Sequence, residues 1–137
     1  MSNSIPKEIL EAAVKFHGHL GPFLVLGLKA GLYANQLLGK DYFKTNVLVE
    51  TEVTPPCSCF VDGVQFATGC TMGKGNIQLK KDNSLSAIFT KGDRKLELYL
   101  KNDILRKIKE KIPKSECEKI AVGFSKKDIK ELFHLKY

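Results

Sequence analysis

The chain of 137 residues lacks a long apolar segment and has no recognisable secretory signal. A membrane-spanning helix needs about 20 consecutive apolar residues. Here Gly21, Pro22, Gly27 and Gly31 interrupt the longest apolar stretch. The opening segment, MSNSIPKEIL, has no basic region followed by an apolar core, as a secretory signal would. We therefore expect a soluble, cytoplasmic protein without a membrane segment.

Arginine is scarce, because only Arg94 and Arg106 stand among the 22 basic residues. The formal net charge is +7, and the excess lies in residues 74–137, whereas residues 1–73 are slightly acidic. Nucleic-acid recognition relies on planar, bidentate arginine, whereas lysine is a hydrated point charge. The composition therefore favours a solvated lysine-rich surface over nucleic-acid binding. An acidic partner or an anionic substrate is the alternative that this charge leaves open.

Apolar periodicity predicts most of the secondary structure. It predicts two helices that end near Gly18 and Gly39, a strand over 47–53, a helix over 58–68, and strands over 77–80, 85–90 and 95–100. Pro22 is predicted to open the second helix, whose small residues offer a side for close backbone approach: Gly27, Ala30, Gly31 and Ala34.

The tail of the chain is predicted to be helical. Asn102 is the expected cap of one helix, and Ser115 and Ser125 resemble the first residues of capping boxes. The order of elements predicts one α+β domain over residues 1–137, with an α-β-α-β-β-β core, a mixed or antiparallel sheet and C-terminal helices.

Two pairs of metal-ligating residue types occur at loop-to-helix junctions. His17 and His19 lie in FHGHLGP, and Cys57 and Cys59 lie in PPCSC. Two imidazoles and two thiolates form a set suited to tetrahedral zinc, although iron and nickel are also compatible. The alternative is that a histidine caps a helix and that the cysteines are small core residues.

Position on the predicted helix suggests roles for three neighbouring residues. Cys59 lies near the helix N-terminus, where the helix dipole stabilises a thiolate. Asp62 lies one turn later and could orient a ligand histidine, or could simply be a favourable charge there. Cys70 follows Cys59 by 11 residues, which is about 16 Å along a helix. These two thiols therefore cannot share one metal within a chain unless the helix is broken or much shorter. Cys70 belongs to another site, or a second copy of the chain completes the first one.

The glycine-rich segment over residues 69–76 resembles a phosphate-binding loop but fails the P-loop pattern, because no Ser or Thr follows Lys74 and a strand comes next. A tight turn is the simpler interpretation, although the loop could hold Lys74 over an anion. Cys70 and Lys74 are the candidate catalytic residues. Cys117 stands alone in a lysine-rich helix and is interpreted as structural.

The segments FHGHLGPFLVLGLKAG, VETEV and CFVDGVQFATGCTMGKGN together resemble the FmdE family of proteins associated with formylmethanofuran dehydrogenase. The resemblance covers roughly residues 10–100. His17, His19 and Pro22 match the first family motif, whereas Gly21 stands where the family usually has Cys. The second motif is matched by Cys59, Asp62, Gln65, Gly69, Cys70, Thr71, Gly73, Lys74 and Asn76. Cys57 is unusual for the family and could replace the missing thiol.

The resemblance implies a compact α+β core that pairs as a homodimer. It also implies a link to molybdenum or tungsten formylmethanofuran dehydrogenase, which reduces carbon dioxide in methanogens, and to other subunits of that oxidoreductase. Many relatives carry a C-terminal zinc ribbon, which we do not expect here because no Cys-x-x-Cys follows Cys70. The expected function is that of a metal-binding accessory protein or relative. The alternative is a non-enzymatic docking subunit that uses lysines such as Lys80, Lys81 and Lys91.

Overall fold

A computed structural model describes residues 4–137; the predicted domain and the predicted absence of a signal also involve residues 1–3, which lie outside the described part. The helices are α1 (Lys7–His17), α2 (Pro22–Leu38), α3 (Cys59–Thr68), α4 (Asn102–Lys109), α5 (Lys114–Lys126) and α6 (Ile129–Leu132). The strands are β1 (Thr45–Thr51), β2 (Ile77–Lys81), β3 (Ser86–Lys91), β4 (Arg94–Leu100) and β5 (Phe133–Lys136). The predicted α+β class is confirmed.

The five strands form one mixed sheet in the order β2-β1-β3-β4-β5. β1 and β2 are parallel, and the other three pairs are antiparallel. α3 lies in the connection between the parallel strands, as such a crossover requires. The prediction of a wholly helical tail is wrong, because β5 pairs with β4 through Phe133 opposite Leu100 and Leu135 opposite Leu98.

The predicted helix caps of the tail are also wrong. Asn102 is the first residue of α4, and Lys101 occupies the cap position. Ser115 and Ser125 both lie inside α5. The side chain of Asp128 instead caps α6 by accepting a hydrogen bond from the backbone N–H of Lys130. Serine, asparagine and aspartate can all cap the start of a helix. The sequence motif alone therefore did not determine which residue takes the cap position.

The core lies between the sheet and α2, which is buried along most of its length. Residues that alternate along the strands supply the sheet side of this core: Val47, Val49, Ala87, Phe89, Leu96 and Leu98. The close backbone approach that the small residues of α2 predicted occurs, and the approaching element is α3. A Cβ atom on Gly31 would lie 2.6 Å from the Cβ of Ala67, and one on Gly63 of α3 would lie 2.3 Å from the carbonyl oxygen of Leu24. This contact places the first turn of α3 beside the joint between α1 and α2.

Two cations of the β3–β4 hairpin cap the other end of α2. Lys91 Nζ donates to the carbonyl oxygens of Leu38 and Gly39, at 3.0 Å and 3.2 Å. Arg94 donates to the carbonyl oxygens of Leu37 and Leu38. Positive charge is favourable at a helix C-terminus, where carbonyl groups lack partners within the helix. Across residues 4–137, every helix is too short or too polar to cross a bilayer.

Candidate functional site

The two histidines lie where α1 ends and α2 begins. His17 is the last residue of α1, and Gly18 follows it with φ at +114°. Glycine adopts this conformation readily because it has no Cβ atom. Gly21 then precedes Pro22, the first residue of α2. The turn between the helices therefore carries both histidines at this joint.

His17 makes a short, shielded contact with Asp62 of α3. Its Nδ1 lies 2.6 Å from Oδ2 of Asp62, and the His17 side chain is only 8% exposed. In the neutral tautomer whose Nδ1–H donates to the carboxylate, the Nε2 atom carries the lone pair. Nε2 is buried and has no hydrogen-bond partner within residues 4–137. A carboxylate on one ring nitrogen and a lone pair on the other is the usual arrangement of a metal-binding histidine.

His19 is exposed and adjoins the His17 ring. The two ring centroids are 4.7 Å apart, and the rings are nearly perpendicular. A Cβ atom on Gly21 would lie 3.0 Å from Cε1 and 3.3 Å from Nδ1 of His19. Position 21 therefore lies directly beside the second histidine.

Cys59 is half-buried at the start of α3, three residues before Asp62. Burial raises the pKa of its thiol, and the Asp62 carboxylate raises it further. The thiolate expected from the helix dipole is therefore not favoured in this environment. Desolvation and a neighbouring negative charge outweigh the dipole, whereas a bound cation would reverse that balance.

Cys57 is buried and hydrogen-bonds away from the histidines. Its Sγ donates to Oε2 of Glu52 at 3.3 Å, and the same oxygen lies 3.0 Å from Nζ of Lys109. Burial, followed by the Glu52 contact, raises the pKa of Cys57 to about 11. The thiol therefore stays protonated at neutral pH, and the Glu52 carboxylate that accepts from it also contacts Lys109 of α4.

The candidate metal ligands occur as neighbouring pairs and do not form a complete coordination site within residues 4–137. Nowhere in residues 4–137 are three His, Cys, Asp or Glu side chains grouped so that they could hold a metal ion. His17 and His19 share a ring contact, while Cys57 is engaged by Glu52. Ligation of zinc, iron or nickel by His17, His19, Cys57 and Cys59 therefore remains a prediction, and it requires side chains to rotate.

The two candidate catalytic residues lie in different environments. Cys70 is fully buried, and its thiol donates to the carbonyl oxygen of Thr45 at 3.3 Å. Burial raises its pKa, although Lys74 acts in the opposite direction. Lys74 itself is exposed, with Nζ 3.3 Å from Oγ1 of Thr71. Their catalytic role remains a prediction, and in this conformation Cys70 is a shielded, protonated thiol.

An open groove beside the histidines was missed by the sequence analysis. It encloses about 430 Å³ and is lined by Phe16, Gln65, Phe66, Thr71, Met72 and Gly73. Phe16 directly precedes His17, and Phe66 follows Asp62 by four residues on α3. Residues four apart share one face of a helix. That spacing was the available signal that Phe66 lies on the same side as the site.

These features define an α+β protein with a carboxylate-oriented histidine at a helix joint. A family model described as "FmdE, Molybdenum formylmethanofuran dehydrogenase operon" matches residues 16–134, and the chain belongs to this family. The "Probable S-adenosyl-L-methionine-binding protein" of Archaeoglobus fulgidus is 33% identical over 104 residues. The alignment covers 72% of this chain and 28% of that relative, so the chain spans less than a third of the curated relative's length.

Proposed function

We propose that this protein binds a divalent metal ion, zinc by preference, as an accessory to the formylmethanofuran dehydrogenase system. The main support for this proposal is the buried Nε2 of His17, which has no hydrogen-bond partner within residues 4–137. The Nδ1 atom of the same ring is hydrogen-bonded to Asp62. An unsatisfied buried polar atom is unfavourable by about 1–3 kcal/mol. A metal ion on Nε2 would remove that penalty.

The proposed ligands are His17 and His19, with Cys59 as the thiolate donor. His19 is exposed, so its ring can rotate without breaking core packing. Cys57 would have to give up its hydrogen bond to Glu52 to become a fourth ligand. Alternatively, the fourth position is open, and there the metal would supply Lewis acidity or bind a sulfur ligand.

Elemental mass spectrometry on untagged protein tests this proposal. We expect about one metal per chain or per two chains, with loss of metal in His17→Gln, His19→Ala and Cys59→Ala. Cys117→Ala is the matched control, because its thiol hydrogen-bonds to the carbonyl oxygen of Ile112 rather than to a proposed ligand. Cys57→Ser separates a four-ligand site from a three-ligand site. An apo wild type after reconstitution with zinc, iron and nickel would contradict the proposal.

We also propose that the protein acts as a homodimer and associates with other dehydrogenase subunits, as family membership suggests. Light scattering measures the first property, and co-purification with those subunits measures the second. Metal per dimer, rather than per chain, would mean that the two copies complete one site.

Docking on an acidic partner without catalysis is the second candidate function. Lys80 and Lys81 favour it, because both lie exposed on the edge strand β2. Lys91 does not contribute in the same way, since it caps α2. Electrostatic docking weakens steeply with ionic strength, whereas metal retention changes little. Charge reversal at Lys80 and Lys81 with unchanged partner binding would exclude this alternative.

A further inference from the structure

We infer that the groove beside the histidines binds a flat aromatic ligand that carries an anionic group. The groove volume of about 430 Å³ lies within the roughly 300–1,000 Å³ typical of small-molecule sites. Metal binding does not require this groove, and no step of the proposed metal site depends on it. The inference therefore goes beyond the proposed function.

The apolar wall of the groove is exposed to an unusual degree. Phe16 is 56% exposed and Met72 is 85% exposed. The rings of Phe16 and Phe66 lie 5.8 Å apart and are tilted by 41°. Contiguous exposed apolar surface marks an interaction site, and aromatic rings favour offset stacking with another flat ring. The thioether of Met72 can adapt to the shape of such a ligand.

A lysine next to two lining residues of the groove supplies positive charge. Lys74 Nζ lies 3.3 Å from Oγ1 of Thr71, which lines the groove. The same ammonium is 5.9 Å from the Tyr42 ring centroid and 5.7 Å from that of Phe43. None of the ion pairs among residues 4–137 involves Lys74. A carboxylate or phosphate of the ligand can therefore serve as its counter-ion.

Hydrogen bonds fix the loop that carries Lys74. The backbone N–H of Thr71 donates to Oδ1 of Asn76 at 2.9 Å, and that of Met72 donates to Oε1 of Gln65 at 3.0 Å. Asn76 also donates to the carbonyl oxygen of Tyr42 at 2.8 Å, which joins the loop to the segment before β1. A wall that is ordered before binding loses less conformational entropy when the ligand arrives.

The charge of Lys74 beside the groove favours an anionic ligand. Asp41, the acid of the neighbouring loop, already accepts hydrogen bonds from the backbone N–H groups of Phe43 and Lys44. The chain carries a formal charge of +7, so its long-range field attracts an anionic ligand.

Flavin mononucleotide and riboflavin are suitable probes, because they share one ring system and only the first carries a phosphate. Fluorescence titration is carried out on the full chain with a chelator present, so the result is independent of metal binding. We expect flavin mononucleotide to bind about tenfold more tightly than riboflavin, as one charge-assisted contact allows. Inorganic phosphate alone should not bind measurably.

Variants of exposed residues assign the binding to the groove. Lys74→Gln should reduce the affinity for flavin mononucleotide to that for riboflavin. Lys119 is an exposed lysine of α5, and Lys119→Gln should leave the affinity unchanged. Phe16→Ala should weaken the binding of both flavins, and Met72→Ala provides a second test if the first variant folds poorly.

Three results would overturn the inference. They are no binding up to about 1 mM, equal affinity for the two flavins, or an identical response of Lys74→Gln and Lys119→Gln. Light scattering adds a fourth result. If Phe16→Ala converts a dimer to a monomer and the wild type binds no flavin, the groove is a contact between copies of the chain.

Discussion

Gly27 of α2 lies directly against the backbone of Phe60 in α3: a Cβ atom on Gly27 would be 2.0 Å from the Phe60 carbonyl oxygen. Backbone atoms cannot move aside as the end of a side chain can. The separation between these helices, and hence the position of Asp62 relative to His17, therefore depends on a hydrogen atom at position 27.

The first prediction is that Gly27→Ala destabilises the fold by about 3 kcal/mol, the upper range for overpacking. Gly123→Ala is the matched control, because a Cβ atom there meets nothing within 4 Å in α5. That variant should raise the free energy of unfolding by about 0.5–1 kcal/mol, because alanine is the better helix former. Urea denaturation measures both changes. Equal stability of the two variants would contradict the close packing of α2 and α3.

The second prediction concerns Gly21, whose missing side chain would adjoin His19. Gly21→Cys should strengthen zinc binding by at least about tenfold. Changes to the groups that only support metal ligands already alter metal affinity by about that factor. The backbone at this position is extended, so cysteine fits without a strained conformation. Gly21→Ala adds the same Cβ atom without the thiol and should not strengthen binding. Competition with a chromophoric chelator gives the affinities, and equal values for the two variants would refute the prediction.

The third prediction is that Asp62→Asn weakens metal binding about 10–100-fold while the apo protein stays folded. The amide no longer provides a carboxylate to accept the Nδ1 proton of His17, so the ring is less well oriented. A purely structural role would lower the Tm with and without metal. The proposed role instead reduces the increase in Tm on adding zinc. Asp103→Asn, in the first turn of α4, is the control for loss of one negative charge.

The fourth prediction is a pH dependence of stability that arises from Cys57. Its folded-state pKa is raised to about 11 from an ordinary value of 9.0. The folded state therefore holds the proton more tightly than the unfolded state does. The stability that this adds is complete below about pH 9 and is lost as the pH rises toward about 11.

Comparison with Cys57→Ala isolates this contribution from the titration of lysines and tyrosines. The difference in unfolding free energy between wild type and variant should shrink from about pH 8 to about pH 11. A constant difference across that range would mean that the Cys57 thiol titrates normally in the folded protein.

Features that depend on a few neighbouring positions in the chain could be predicted from the sequence. Gly18, Gly39 and the small residues of α2 were interpreted correctly, because backbone conformation and helix spacing depend on a few positions. The contact of Asp62 with His17 matches one of the two roles that the sequence left open for this carboxylate.

Properties that depend on distant residues could not be predicted in the same way. Phe133–Lys136 forms a strand because β4 offers its free edge, whereas the local sequence is compatible with a helix. The pKa direction at Cys59 depends on burial by other elements. The groove depends on the meeting of α1, α3 and the loop over 69–76, which no single spacing encodes.

The order of strands also affects how the protein can assemble during synthesis. β1 emerges from the ribosome first, β2 then adds to one side of it, and β3, β4 and β5 add in turn on the other side. Each new strand joins an existing edge, and none has to insert between two paired strands. α1, α2, α3 and the loop over 69–76 all precede β2 in the chain. Every side chain of the candidate site is therefore translated before β3 to β5, whereas α2 beside the site is covered only once β3, β4 and α5 have also been made.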